Sequence, residues 1–102
     1  KATKEISGVM RGWRIHRGNE KSLKELSQFC NPSLRGWINY YGQYYKSALY
    51  RVFNILNRSL VRCVMRKYKR FRFHQRGATR WLRDIAKRQP ELFAHWQIGI
   101  RP

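Results

Sequence analysis

The sequence predicts an all-α fold: a small helical bundle of about four to five helices, one of them long, basic and amphipathic. Three observations carry this expectation. From Leu49 to Val64 apolar residues recur every three or four positions, the period of a helix with one buried face. Two helix-start signals, Ser22 with Glu25 and Asn31 with Pro32, punctuate the first half of the chain. Sustained apolar–polar alternation, the mark of a half-buried strand, is missing throughout. A chain of 102 residues is expected to form one small domain, 1–102.

The elements follow in order. Residues 4–15 place Ile6, Val9, Met10 and Trp13 at helical spacing. Gly8 and Gly12 weaken that helix, by about 1 kcal/mol each relative to alanine if exposed, and their spacing would let another backbone come close. Gly18-Asn19 reads as a break. Ser22 then opens a helix, with Glu25 three residues on as the second half of a capping box. Leu23, Leu26, Phe29 and Cys30 form its apolar stripe. Asn31-Pro32 is expected to restart the chain, because asparagine caps well and proline suits the first helical position. The following helix carries Leu34, Trp37, Ile38, Tyr41 and Tyr45 on one side.

The longest element is expected from about Ser47 to Arg70. Leu49, Val52, Phe53, Leu56, Leu60, Cys63 and Val64 fall within one arc, and Arg51, Arg58, Arg62, Arg66 and Lys69 on the other. Residues 71–77 read as a basic, aromatic connection. A further helix places Trp81, Leu82, Ile85 and Ala86 inward and Arg80, Arg83, Lys87 and Arg88 outward. Pro90 ends it and is expected to start a short last helix, with Glu91 at its N-terminus. Leu92, Phe93 and Trp96 would dock that piece on the core.

Charge narrows the function. The chain carries 23 Lys and Arg against 5 Asp and Glu, a formal net charge of +18. Such one-sided charge repels itself in the compact state, and a polyanion relieves it. Nucleic acid is the leading partner, through phosphate neutralisation and counterion release. Cys30 and Cys63 show neither metal-ligand spacing nor a dense disulfide pattern, and read as buried, reduced thiols. No apolar run approaches a membrane span and no signal peptide is visible. The chain begins at Lys1 inside a helix-like pattern, which suggests a fragment of a larger protein.

Catalytic constellations are not evident. The carboxylates are Glu5, Glu20, Glu25, Asp84 and Glu91, without a close pair for metal-assisted phosphoryl transfer. His16, His74 and His95 are scattered. No Gly-rich loop precedes a Lys-Ser or Lys-Thr pair. No cofactor, metal or catalytic residue is expected.

The basic segment is different. Its candidate RNA-binding residues are Arg58, Arg62, Arg66, Lys67, Lys69, Arg70, Arg72, Arg76, Arg80, Arg83 and Lys87, followed by Arg88, and Asp84 is the one acid among them. A solvated helix face normally mixes signs and forms i,i+4 pairs; this stretch has almost nothing to pair with. Arginine outnumbers lysine, and a planar guanidinium grips phosphate with two hydrogen bonds and stacks on bases. That leans toward RNA. Tyr68, Phe71, Phe73 and His74 are candidates to stack on bases, with Tyr68 and Phe71 also read as core.

The run Asn31-Pro32-Ser33-Leu34-Arg35-Gly36-Trp37-Ile38-Asn39-Tyr40-Tyr41-Gly42 resembles the maturase-specific domain of group II intron reverse transcriptase/maturases, also called domain X or the thumb. The likeness rests on Asn31-Pro32, then Arg35-Gly36-Trp37, then Asn39-Tyr40. The basic helix 58–70 and Leu92-Phe93-Ala94-His95-Trp96-Gln97-Ile98-Gly99 look like the family's continuation, so the likeness spans roughly residues 4–99. It implies a domain that follows a reverse transcriptase in the same polypeptide, binds group II intron RNA and assists its folding and splicing. It also implies help in holding a template duplex, including an RNA–DNA duplex. The polymerase's catalytic aspartates would lie in that upstream domain. A cytoplasmic setting, bacterial by default, follows from the same context. Within the motif, Gly36 is expected to permit close helix approach and Trp37 to anchor the core. Tyr40 and Tyr41 are expected to face different sides, and Arg35 to touch phosphate or bridge helices.

Other classes fit less well. A structural polymerase thumb would use the same charge on any duplex. A stand-alone DNA-binding helical module would need a short recognition helix, to which the long basic helix is poorly suited. A cationic membrane-surface peptide would not need several aromatic-rich helical stripes.

Overall fold

A computed structural model describes residues 2–15 and 22–102. The helices are α1 (Ala2–Trp13), α2 (Leu23–Tyr41), α3 (Lys46–Lys67), α4 (Gln75–Arg88) and the short α5 (Ala94–Gln97), with a 3₁₀ turn at Lys69–Phe71 between α3 and α4. No strand occurs among the described residues, so the all-α bundle is as expected. His16, Gly18-Asn19 and Glu20 lie outside them.

α3 is the spine. Leu49, Val52, Phe53, Leu56, Leu60, Cys63 and Val64 are all buried, as the spacing predicts. Burying a side chain of this kind is worth roughly 1.5–3 kcal/mol, so this one face dominates the core. α1 lays Ile6 and Met10 onto α3, and α4 lays Ala78, Leu82, Ile85 and Ala86 there. Val9, expected on the buried stripe, is about half exposed; it points away from α3. α1 stops at Arg14, whose φ of 52° is left-handed, and Ile15 turns back into the core.

The capping box forms as predicted: the Glu25 N–H donates to Ser22 Oγ (3.2 Å) and the Ser22 N–H to Glu25 Oε1 (3.0 Å). From there α2 departs from expectation. It runs without a restart through Asn31 and Pro32. Pro32 cannot donate to the Gln28 carbonyl, a cost of about 3 kcal/mol in a helix interior. Leu26, Cys30 and Leu34, buried on one continuous face, offset it. Asn31 does not cap, because its side chain is engaged elsewhere: Nδ2 donates to the Leu92 carbonyl (3.0 Å) and Oδ1 accepts the Ala94 N–H (2.9 Å).

Several boundaries and faces also differ. α3 ends at Lys67 rather than Arg70, because Tyr68 adopts an extended backbone and turns its ring onto Trp81, 5.2 Å away. Gln75, Arg76 and Gly77, expected in the connection, form the first turn of α4. Glu91 is not at the start of the last helix: Leu92 closes a turn onto Gln89, Phe93 is extended and fully buried, and α5 begins at Ala94. Phe29 and Tyr45 are largely exposed, Phe29 set edge-on against Trp13. Tyr45 lies beyond α2, preceding α3. Trp37 is half buried and stacks on Trp13 at 5.6 Å, so it braces the core rather than filling it. Gly8, Gly12 and Gly36 bring no backbone close; an added Cβ would meet nothing within 4 Å.

The largest fully buried side chain is Trp96, on α5. The segment 92–100 is wedged against α2 and α3 and carries a polar network inside the core. Asn57 Oδ1 accepts from Trp96 Nε1 (3.0 Å) and contacts His95 Nε2 (2.7 Å), while Asn57 Nδ2 donates to the Ile100 carbonyl (3.3 Å). An amide oxygen can only accept, so His95 carries its proton on Nε2. Its Nδ1 is then a buried acceptor with no hydrogen-bond partner. Burial drives the imidazole down from 6.5 to about 3, so it stays neutral. Gly99, at φ 96°, closes the segment: its N–H bonds the Trp96 carbonyl and the Ile100 N–H bonds the His95 carbonyl, both at 3.0 Å. That is a Schellman ending, which needs a left-handed residue, and it sends Ile100 back into the core.

Candidate nucleic-acid interface

The outer arc of α3 follows from its period. Taking Arg51 as origin and about 100° per residue, Arg58, Arg62 and Arg66 fall within roughly 80° of one another, opposite the buried stripe. All four are exposed. At about 1.5 Å rise per residue they are spaced by two turns, then one, then one.

Beyond Lys67 the turn adds Lys69, Arg70 and Arg72, all exposed. Tyr68 and Phe71 anchor this turn by packing on Trp81, so their reading as core holds better than their reading as stacking platforms. The Arg70 guanidinium sits 4.7 Å from the Phe71 ring centroid and 6.0 Å from that of Tyr68, a geometry that orients the cation while leaving it in solvent. Lys67 is half buried beside Cys63. Burial pushes that thiol up, and Lys67 draws it partly back. Both cysteines are buried and unbridged, as expected.

On α4 the residues Arg76, Arg80, Arg83 and Lys87 are exposed and recur at i, i+4, i+7 and i+11, one helical stripe. Arg83 also donates from Nε to the Pro102 carbonyl (3.0 Å).

Three surface concavities are lined by these groups. Arg62, Arg66, Lys69 and Arg72 line one with Met65. Arg76, Arg80 and Arg83 line a second with Gln75 and Thr79. The third and largest is bordered by Lys46, Arg51, Arg58 and Arg101 around the apolar Ile55 and Ile98, and it shares Gln75 and Thr79 with the second. Arg51 and Arg58 on α3 therefore adjoin the α4 stripe across Gln75 and Thr79, while the Arg62–Arg66–Lys69–Arg72 depression shares no lining residue with the other two. Of the cations predicted as RNA-binding, all are exposed except half-buried Lys67. Lys46, Arg51 and Arg101 were not among them. Arg51 was recoverable, lying seven residues before Arg58 on the same arc; Arg101 reaches the groove only through the Gly99 turn, which leaves no periodic trace.

The motif residues are not brought to this surface as a group. They lie on α2. Asn31 is the buried clamp, and Arg35, Gly36, Asn39 and Tyr40 are exposed, Tyr40 at 74%. Tyr41, one position on, is half buried and donates its hydroxyl to Glu5 Oε2 (3.2 Å). Among the described residues no three His, Cys, Asp or Glu side chains gather as a metal would require, and no helix is long and apolar enough to cross a membrane.

No curated protein and no solved structure matches the chain. Among protein families, the model of the group II intron, maturase-specific domain, matches residues 3–81. That span takes in α1, the Asn31–Tyr40 motif, the whole of α3 and the first half of α4. Matched over more than half of its length, the chain belongs to the group II intron maturase-specific domain family.

Proposed function

We propose that this chain is the RNA-binding part of a larger reverse transcriptase/maturase, gripping group II intron RNA through the α3–α4 surface and assisting its folding and splicing. The observation that carries the reading is the run of cations from Arg51 to Lys87, exposed except for half-buried Lys67. It is set on two helices by their buried faces, with Asp84 as the one acid between Arg58 and Arg88. Like charges held side by side raise the energy of the free chain, and phosphates lower it. The residues proposed to touch RNA are Arg58, Arg62, Arg66, Lys69, Arg72, Arg76, Arg80, Arg83 and Lys87, with Lys67 and Arg70 more constrained. Catalysis would belong to an upstream polymerase domain of the same polypeptide.

The test is a charge reversal. Arg62→Glu with Arg66→Glu is expected to weaken RNA binding while leaving helicity intact. The slope of log affinity against log salt should fall by about 1.4 on single strands, roughly 0.7 for each lost phosphate contact. Unchanged affinity and slope would remove the basis of the reading. The straight arginine arc of α3 also suits a template–product duplex, including RNA–DNA. Competition between folded intron RNA and a duplex of matched length separates a maturase role from a thumb role.

A further inference from the structure

The turn between α3 and α4 sends its two phenylalanines in opposite directions. Phe71 faces inward, 5.8 Å from Trp81, and first-turn Gly77 sits under its ring, where a Cβ would make ordinary contact at 3.6 Å. Phe73, two residues on, is 83% exposed. Its backbone is held on both sides: the Arg72 N–H bonds the Lys69 carbonyl (3.1 Å), the His74 N–H bonds Phe71 (3.0 Å), and the Ala78 N–H bonds His74 (3.0 Å). The exposed ring thus projects from an ordered turn.

A lone exposed phenylalanine would need no explanation. This one has a specific neighbour. The Arg72 guanidinium lies 5.3 Å from its ring centroid, and the same Arg72 lines the depression formed with Arg62, Arg66 and Lys69. An aromatic platform therefore adjoins a pocket of four cations with no acid among its lining residues. At so high an exposure, ring surface stays open to solvent beside the arginine.

The geometry points to a subsite for an unpaired nucleotide: its phosphate sits in the Arg62–Arg66–Lys69–Arg72 depression and its base stacks on Phe73. Stacking is indifferent to base identity, because every base has a π-face. It is not indifferent to pairing, because a base inside a continuous helix has both faces covered. The subsite thus selects a bulge, loop or strand end over unbroken duplex. The inference rests on the RNA-binding reading and narrows its ligand.

The test uses two hairpin RNAs, one with a single 2-aminopurine bulge and one fully paired. The chain is expected to prefer the bulged hairpin and to quench the 2-aminopurine emission on binding. Phe73→Ala should lose roughly tenfold in affinity for the bulged RNA, and lose the quenching, with the paired hairpin unaffected. Phe73→Trp should retain both. Circular dichroism checks that each variant folds, which the exposure of Phe73 favours. If Phe73→Ala leaves preference and quenching intact while the Arg62→Glu, Arg66→Glu variant abolishes binding to both hairpins, the subsite is overturned and the RNA-binding reading stands. If Phe73→Ala impairs binding to phosphatidylserine vesicles and leaves both RNAs alone, the ring is a membrane anchor and the subsite is again overturned. A wild-type chain that binds neither RNA at low salt overturns the reading itself.

Discussion

Asn57 and Arg58 are adjacent on α3 and belong to different regions of the molecule. Asn57 is buried, with its amide oxygen and nitrogen both engaged by the 92–100 segment; Arg58 is exposed beside other cations. In the seam every polar group of Asn57 has a defined partner in a dry environment, so losing one strands the other, and His95 Nδ1 alone among these groups has none. On the basic face the charges compete with water and can be moved by tenths of an ångström at little cost. The seam therefore holds the 92–100 segment to α2 and α3, whereas the basic face is placed by the direct packing of α4 on α3. Stability and binding should separate along the same helix.

The largest expected effect tests that separation directly. Asn57→Ala leaves the Trp96 and His95 donors and the Ile100 carbonyl without partners, a loss of roughly 4 kcal/mol, read as a lowered urea midpoint. RNA affinity, measured where the variant is still folded, should stay near wild type. A variant of normal stability, or one that is folded but RNA-blind, would break the comparison.

Acid is the next lever. The folded chain keeps His95 neutral down to about 3, whereas the unfolded chain protonates it as the pH falls through 6.5. This contribution is intact above that range and drains away as the pH drops toward 3, at about 1.4 kcal/mol per unit. Roughly 2 kcal/mol should be gone by pH 5. Denaturation at pH 7 and pH 5, compared with His95→Phe, isolates the term; equal pH slopes in the two proteins would show that the seam is not acid-sensitive.

The smallest effect sets two glycines against each other. Gly99 holds a φ of 96° at the end of the seam, so Gly99→Ala should cost about 1 kcal/mol. Gly36 is helical, with open space around it, so Gly36→Ala should add about 0.5–1 kcal/mol. Thermal melts of both variants give the two signs, and a destabilising Gly36→Ala would mean that the glycine serves something on α2 beyond the fold.

Local signals were legible in the sequence, and distant ones were not. Seven of the nine buried positions of α3 and the Ser22–Glu25 box are written in spacings of three and four, which a helix converts directly into faces and caps. Asn31 was misread because Asn-Pro imitates a helix start, while its true partners lie 61 and 63 residues away. His95 looked like one of three scattered histidines, and only the fold sets it against Asn57. The cation arc was visible as the complement of the apolar stripe. Its join to α4 was not, because that depends on how two helices pack. The separation of Phe71 from Phe73 turns on two residues of backbone geometry that composition cannot express.

The clamp at Asn31 has a kinetic consequence. Its bond to Ala94 closes a loop spanning 63 positions, and such closures are slow relative to helix formation. Ribosomal synthesis delivers α1 to α4 before residues 92–100, so α3 and α4 can pack on each other directly while the Asn31 clamp and the Asn57 network are still open. The locking of α2 onto the C-terminal segment is a late product of folding.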